Sequence, residues 1–155
     1  MSANNFKIAK GDLVISDRTY TRVEGVAKLE QDLMLWILER IGTDPATPTY
    51  GSTLDGGIID GQPVQSHIGA TSTDARMREI ASEVRRVLEL YQETQISKMQ
   101  LEMALYQGKH TLSGDEVLEK IDSIAATRSA DLIIVKVGIT TAGGKSLQMI
   151  IPTEA

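Results

Sequence analysis

The chain has 155 residues, 41% of them hydrophobic and 24% charged, with a formal net charge of −5 and no cysteine. This suits one soluble domain with one modest core. The negative balance argues against non-specific nucleic-acid binding, which needs a surplus of Lys and Arg on one face, and the lack of cysteine excludes disulfides and thiolate metal sites. Residues 1–10 are polar, are expected to be flexible and carry no secretion signal. Aliphatic runs such as Leu132 to Val135 are far shorter than the ~20 residues of a membrane span, so no membrane contact is expected.

A short strand is expected from Asp12 to Ser16, entered through Gly11. A long helix follows, from Thr21 to Ile41. Val23, Val26, Ala27, Leu33, Met34, Ile37 and Ile41 recur at intervals of three and four, the mark of an apolar stripe. Glu24, Lys28, Asp32 and Glu39 fall on the opposite, solvated face, while Leu29 and Trp36 widen the stripe. Gly42 offers a left-handed stop. Residues 43–71 hold three of the four prolines (Pro45, Pro48, Pro63) and many glycines, and are expected to form a long irregular connection. A second helix is expected from Thr73 to Tyr91, with Ser72, Thr73 and Asp74 as candidate caps and Ile80, Ala81, Val84, Val87, Leu88 and Tyr91 buried.

From residue 96 the apolar period becomes two: Met99, Leu101, Met103 and Leu105 alternate with Lys98, Gln100, Glu102 and Ala104. That pattern predicts a half-buried strand ended by Gly108. Asp115 to Ala125 reads as a short third helix capped by Ser113. Two strands close the chain, Asp131 to Thr140 and Lys145 to Ile151, joined by the hairpin loop Thr141 to Gly144. Ile133, Val135, Val137 and Ile139 line one face of the first, and Leu147, Met149 and Ile151 one face of the second. The expected class is α+β: two main helices and a short third on a small, mostly antiparallel sheet that ends in a C-terminal hairpin.

Little in this order offers catalysis. Gly144-Lys145-Ser146 matches the tail of a phosphate-binding loop, but Ile139 stands where its first glycine belongs, and a strand follows instead of a helix. His67 and His110 sit on separate loops without ligand spacing, and are expected to be exposed. Arg85 and Arg86, beside Glu83 and Glu89, read as a solvated face. Glu24 with Asp32 could be imagined as the two carboxylates of a glycoside hydrolase, but they lie on a polar helix face. The chain's six aromatic residues are few for a sugar cleft. No cofactor and no metal is expected. The terminal hairpin reads either as an ordinary end to the sheet or as an edge for a foreign strand, guarded only by Lys136 and Pro152.

One long stretch carries a family pattern. It runs Gly11-Asp12-Leu13-Val14, then Val23-Glu24-Gly25-Val26-Ala27-Lys28-Leu29-Glu30-Gln31-Asp32-Leu33, then Ile41-Gly42-Thr43 and Pro48-Thr49-Tyr50-Gly51-Ser52-Thr53-Leu54. This resembles the baseplate wedge and sheath-initiator family of contractile phage tails, which is related to a baseplate component of the type VI secretion system. The family's second helix ends in Glu-Pro-Arg-aliphatic before a strand. Glu93-Thr94-Gln95-Ile96 takes that place here, with Thr94 and Gln95 departing from proline and arginine. The resemblance covers residues 11–105 by motif and the remainder by element order.

What the resemblance implies is a structural subunit, not an enzyme, present in several copies around the tail tube in the virion baseplate. Its partners would be the tail sheath protein, baseplate wedge proteins and the tube or hub. Ile133, Val135, Val137, Ile139, Leu147, Met149 and Ile151 would form the sheath-binding edge. Trp36, Pro48, Tyr50, Gly51, Leu54, Glu93 and Gln95 would meet the wedge, with Trp36 and Tyr50 as anchors. The alternatives are the type VI secretion component and a peptidoglycan hydrolase, the latter matching a lysozyme-like label that some members carry.

Overall fold

A computed structural model describes residues 5–9, 12–13, 15–16, 19–20, 22–67, 73–130 and 132–154. The expectations placed on Gly11, Val14, Thr21, Ser72 and Asp131, and on the last residues of the 43–71 connection, lie outside these residues. The described part is an α+β fold in which two helices cover one face of a C-terminal three-stranded sheet. Six two-residue strands come first: β1 (Asn5–Phe6), β2 (Ile8–Ala9), β3 (Asp12–Leu13), β4 (Ile15–Ser16), β5 (Thr19–Tyr20) and β6 (Arg22–Val23). They pair antiparallel as β1 with β6, β2 with β3 and β4 with β5. Backbone pairing therefore reaches into the first ten residues.

Helix α1 is Val26–Leu38, shorter at both ends than the sequence pattern suggests. Gly25, at φ 65°, turns the chain from β6 into the helix, and Glu39 is already extended. Its buried line is Leu29, Leu33 and Ile37. The line is rotated from the expected stripe, so Ala27 is exposed and Lys28 is buried. Lys28 pairs with Asp32 one turn on at 3.5 Å. Glu39 is followed by β7 (Arg40–Ile41), β8 (Ser52–Ile59) and β9 (Gln62–Val64), a three-stranded sheet in the order β7-β8-β9.

This sheet corrects the reading of residues 43–71 as irregular. Asp60 at φ 51° and Gly61 at φ 75° form the tight turn between β8 and β9, where both central residues need positive φ. Gly57, at φ 140°, lies where β7 and β8 pair in parallel, and a Cβ there would run into the backbone of Ile41. That glycine permits strand contact, which a composition count reads as its opposite.

Helix α2 is Asp74–Leu105, 32 residues, capped by the Thr73 hydroxyl accepting the Arg76 N–H at 3.2 Å. It absorbs the strand expected from residue 96 onward. The alternating residues are Met, Leu, Lys, Gln, Glu and Ala, all good helix formers, and no breaker separates them from Tyr91. Ile80, Val84, Val87, Leu88, Tyr91 and Gln95 are buried, whereas none of residues 96–105 is. The last turns of α2 thus project past the core. In the last turn of the helix, Glu102 is fastened to the returning loop by the Thr111 N–H at 2.8 Å.

The expected third helix shrinks to a single 3-10 turn, Gly114–Glu116, with a reciprocal cap between Ser113 and Glu116. The rest is β10 (Leu118–Ser129), joined by β11 (Leu132–Thr141) and β12 (Ser146–Glu154) in the antiparallel order β10-β11-β12. Two register shifts, between Leu118 and Lys120 and between Ile121 and Ser123, explain the mistake. Each inserts an extra residue, so inward-facing Leu118, Ile121 and Ile124 fall three apart and imitate a helical stripe. Ile133, Val135, Val137, Ile139, Met149 and Ile151 are all buried against Leu29, Leu33, Ile37, Val84 and Leu88. Glycines 143 and 144 form the hairpin turn, with the Gly143 N–H on the Gly114 carbonyl and the Lys145 ammonium on Asp115 at 2.6 Å. A hairpin clasp accounts for the phosphate-loop resemblance.

Candidate docking surfaces

Strand β11 has neighbours on both sides, so Ile133, Val135, Val137 and Ile139 belong to the central strand and cannot form an edge. This corrects four of the seven residues of the expected sheath-binding set. Leu147, Met149 and Ile151 lie on β12, which has one partner, β11, among the described residues. Their side chains point into the core or its margin, so what β12 offers outward is backbone.

Which backbone groups those are follows from the register. The Thr141 N–H donates to the Lys145 carbonyl at 2.9 Å, and Ile139 lies opposite Leu147. Antiparallel pairs alternate between bonded and non-bonded. Leu147, Met149, Ile151 and Thr153 therefore turn their groups toward β11, while Ser146, Gln148, Ile150 and Pro152 turn theirs outward. Pro152 fits this assignment, because a proline is tolerated where no ladder N–H is needed. The β11–β12 ladder runs through nine residue pairs without a register shift. Gln148 is exposed, and Ile150 is 61% exposed.

The opposite edge, on β10, is blunted. It carries both bulges, and Gln92 Nε2 donates to the Leu118 and Glu119 carbonyls at 3.3 and 2.6 Å. Lys136, expected to guard the edge, lies on the central strand. Pro152 is left as the guard of β12, and it closes only one end.

The expected wedge-facing residues divide. Trp36 packs edge-on against Tyr50 at 4.7 Å and Tyr91 at 5.3 Å between centroids, and both Trp36 and Tyr50 stay partly exposed. Burial, with the Asp32 charge, pushes the Tyr91 hydroxyl far up, so it remains a neutral donor and acceptor. Pro48 and Glu93 are exposed. Gly51, Leu54 and Gln95 are buried, so they serve the fold and present no side chain to a partner. Glu93 to Ile96 also lie inside α2, away from any strand entry.

Gln95 explains its own burial. Its Nε2 donates to the Tyr91 hydroxyl at 3.1 Å and the Glu116 carbonyl at 2.8 Å, and its Oε1 accepts the Leu118 N–H at 2.9 Å. One amide thus ties α2 to the start of β10. Glu116, unremarked in the sequence, is 4% exposed and accepts the Gly25 N–H at 3.2 Å and the Ser113 N–H at 3.1 Å. The Ser113-x-x-Glu116 spacing of a capping box was its one local signal.

Arg86 is not simply solvated. It donates to Glu83 at 2.8 and 2.9 Å and to the Gly51 carbonyl at 3.1 Å, while Glu83 accepts the Thr53 N–H at 2.7 Å. This latch holds the Pro48 to Leu54 turn on α2. Nor is His67 exposed: its side chain is 14% accessible, with Nδ1 2.9 Å from Arg76 Nη1. Burial and the Arg76 charge push its pKa below the usual value. His110 is exposed as expected. Glu24 is exposed and Asp32 pairs with Lys28, so the two carboxylates do not converge on a cleft. Among the described residues no three His, Asp or Glu are grouped to hold a metal ion, and no helix is long and apolar enough to cross a membrane. No protein-family model and no curated protein matches the chain.

Proposed function

We propose that this chain is a structural subunit of a contractile-tail baseplate that starts sheath polymerisation by pairing its β12 edge with a strand from the first sheath ring. The observation that carries this reading is the outer edge of β12, which has no second strand beside it among the described residues, is closed by Pro152 at one end only, and is flat in register and backed by a packed sheet. A foreign strand laid beside Ser146–Ile150 would meet three outward N–H groups and the carbonyls of the same residues. Each backbone bond contributes about 0.5–1.5 kcal/mol net. Several together resist a pull directed along the strands, and a strand joined by a linker tolerates rotation between rings. A second face, around Trp36 and Tyr50, would lie against wedge subunits.

Deleting everything after Ala130 is a poor test, because it removes Ile133 to Ile151 from the core. The double variant Gln148→Pro, Ile150→Pro removes outward N–H groups and leaves the inward ladder intact. Sheath polymerisation on purified baseplates should fall at least tenfold, with baseplates assembling normally and the monomer keeping its thermal midpoint within a few degrees. Normal sheaths on baseplates that contain a folded double variant would remove the mechanism.

A further inference from the structure

Strand β12 is an edge whose core face is nevertheless sealed. Met149 is 1% and Ile151 0% exposed, although no strand lies beyond them among the described residues. The helices divide the sheet between them: α1 packs on β12 and α2 on β10. A helix is about 10–12 Å across and strands stand about 4.8 Å apart. A helix axis above β12 therefore carries roughly 5 Å of α1 past the strand. The next strand position lies beneath that overhang. The overhanging flank is the one turned from α2. Trp36 faces Tyr91 of α2, and Leu29, Leu33 and Ile37 face the sheet. This leaves Ala27, Glu30, Met34 and Leu38, at i, i+3, i+7 and i+11, on the far side. Met34 is half-buried at the margin of the core and Leu38 is 54% exposed, with Glu30 the one charge on the line.

We infer that the strand accepted by β12 belongs to another protein and is amphipathic, with every second side chain apolar and lodged under Met34 and Leu38 of α1. The inference rests on the strand-edge reading and adds what the incoming segment must look like. Side chains of a strand alternate between faces, so those directly opposite Leu147, Met149 and Ile151 share their face and turn toward the helix. Those opposite Ser146 and Gln148 turn to the other face, where both neighbours are polar and exposed. A helix laid against the same edge would leave the outward N–H and C=O groups of β12 without a ladder, so the occupant is extended. Hydrogen bonds to the edge are blind to sequence, and the flank of α1 supplies the selection.

The test uses the full chain and two fluorescein-labelled peptides, each with the same four threonines and four valines between terminal lysines. One alternates threonine with valine; the other runs threonine, valine, valine, threonine twice, which puts two valines on each face. Fluorescence anisotropy should show the alternating peptide binding at least tenfold more tightly. Leu38→Asp should cut that preference to under threefold with an unchanged thermal midpoint. Leu35→Asp, 40% exposed on the solvent side of the same turn, should leave it intact. Equal affinity of the two peptides, a preference that survives Leu38→Asp, or one that Leu35→Asp abolishes equally overturns the inference and leaves the β12 edge standing. Binding of neither peptide up to millimolar concentration, or binding untouched by the Gln148→Pro, Ile150→Pro pair, overturns the edge reading as well. A dimer of the chain that this double variant dissolves would assign the edge to a second copy and overturn both.

Discussion

Replacing Glu83 with alanine should unfasten the Pro48 to Leu54 turn from α2. The Thr53 N–H, on a residue 9% exposed, loses the acceptor it meets at 2.7 Å. An orphaned buried donor costs about 1–3 kcal/mol. The Arg86 pair adds less, roughly 0.5–1 kcal/mol, because the 40% exposed Arg86 side chain regains water. The total is about 1.5–4 kcal/mol, which for a chain of this size lowers Tm by about 3–16 °C. Thermal unfolding followed by far-ultraviolet circular dichroism measures it, with Glu83→Gln as the uncharged control. Burial pushes the Glu83 carboxyl up, but bonds from Arg86 and the Thr53 N–H outweigh it and hold the group below its ordinary 4.5. A folded-state pKa below the unfolded one stabilises fully above the unfolded value, and the effect fades as pH falls through the folded one. The difference between wild type and Glu83→Gln should therefore hold steady from pH 7 to about pH 5 and close below that. A Glu83→Ala Tm within about 2 °C of wild type, or a difference that does not narrow with acid, refutes the latch.

Gln95→Leu leaves the Glu116 carbonyl and the Leu118 N–H unpaired, and urea unfolding should show a loss of about 2–4 kcal/mol. Faster hydrogen exchange at Leu118 should accompany it; an unchanged urea midpoint contradicts the clamp. His67, lowered first by burial and then by Arg76, stabilises the fold above its unfolded value of 6.5 and loses that contribution as pH falls through the folded value. Wild type should therefore lose stability as pH falls below that unfolded value, and His67→Gln should lose less; parallel curves would exclude this role. Tyr50→Ala removes the edge-on contact with Trp36, worth about 0.5–1.5 kcal/mol beyond area. It should shift the tryptophan emission to the red and weaken incorporation into the wedge; wild-type occupancy would rule out Tyr50 as an anchor.

The parts of the fold legible in the sequence were those where one local signal matched one structure. Alternation in Ile133 to Ile139 and Leu147 to Ile151, with Gly143 and Gly144 between, marked the terminal hairpin, and Thr73 marked the start of α2. Elements failed where two signals conflicted. Met99 to Leu105 alternate like a strand but consist of helix formers continuous with α2, and continuity won. Leu118, Ile121 and Ile124 keep a helical interval because bulges reset a strand. The glycines of residues 42–61 looked like breakers, although Asp60-Gly61 carried a hairpin signal.

Sequence by itself determined the α+β class, the apolar residues that make the core and the strand that ends the chain. Periodicity and turn chemistry are local, and they need no knowledge of neighbours. Tertiary structure decided which strand is an edge, which charges are buried and which candidate residues face outward. Those are properties of packing: β11 became central only once β10 lay beside it, and Lys28, on the face that looked solvated, is buried in the packed fold.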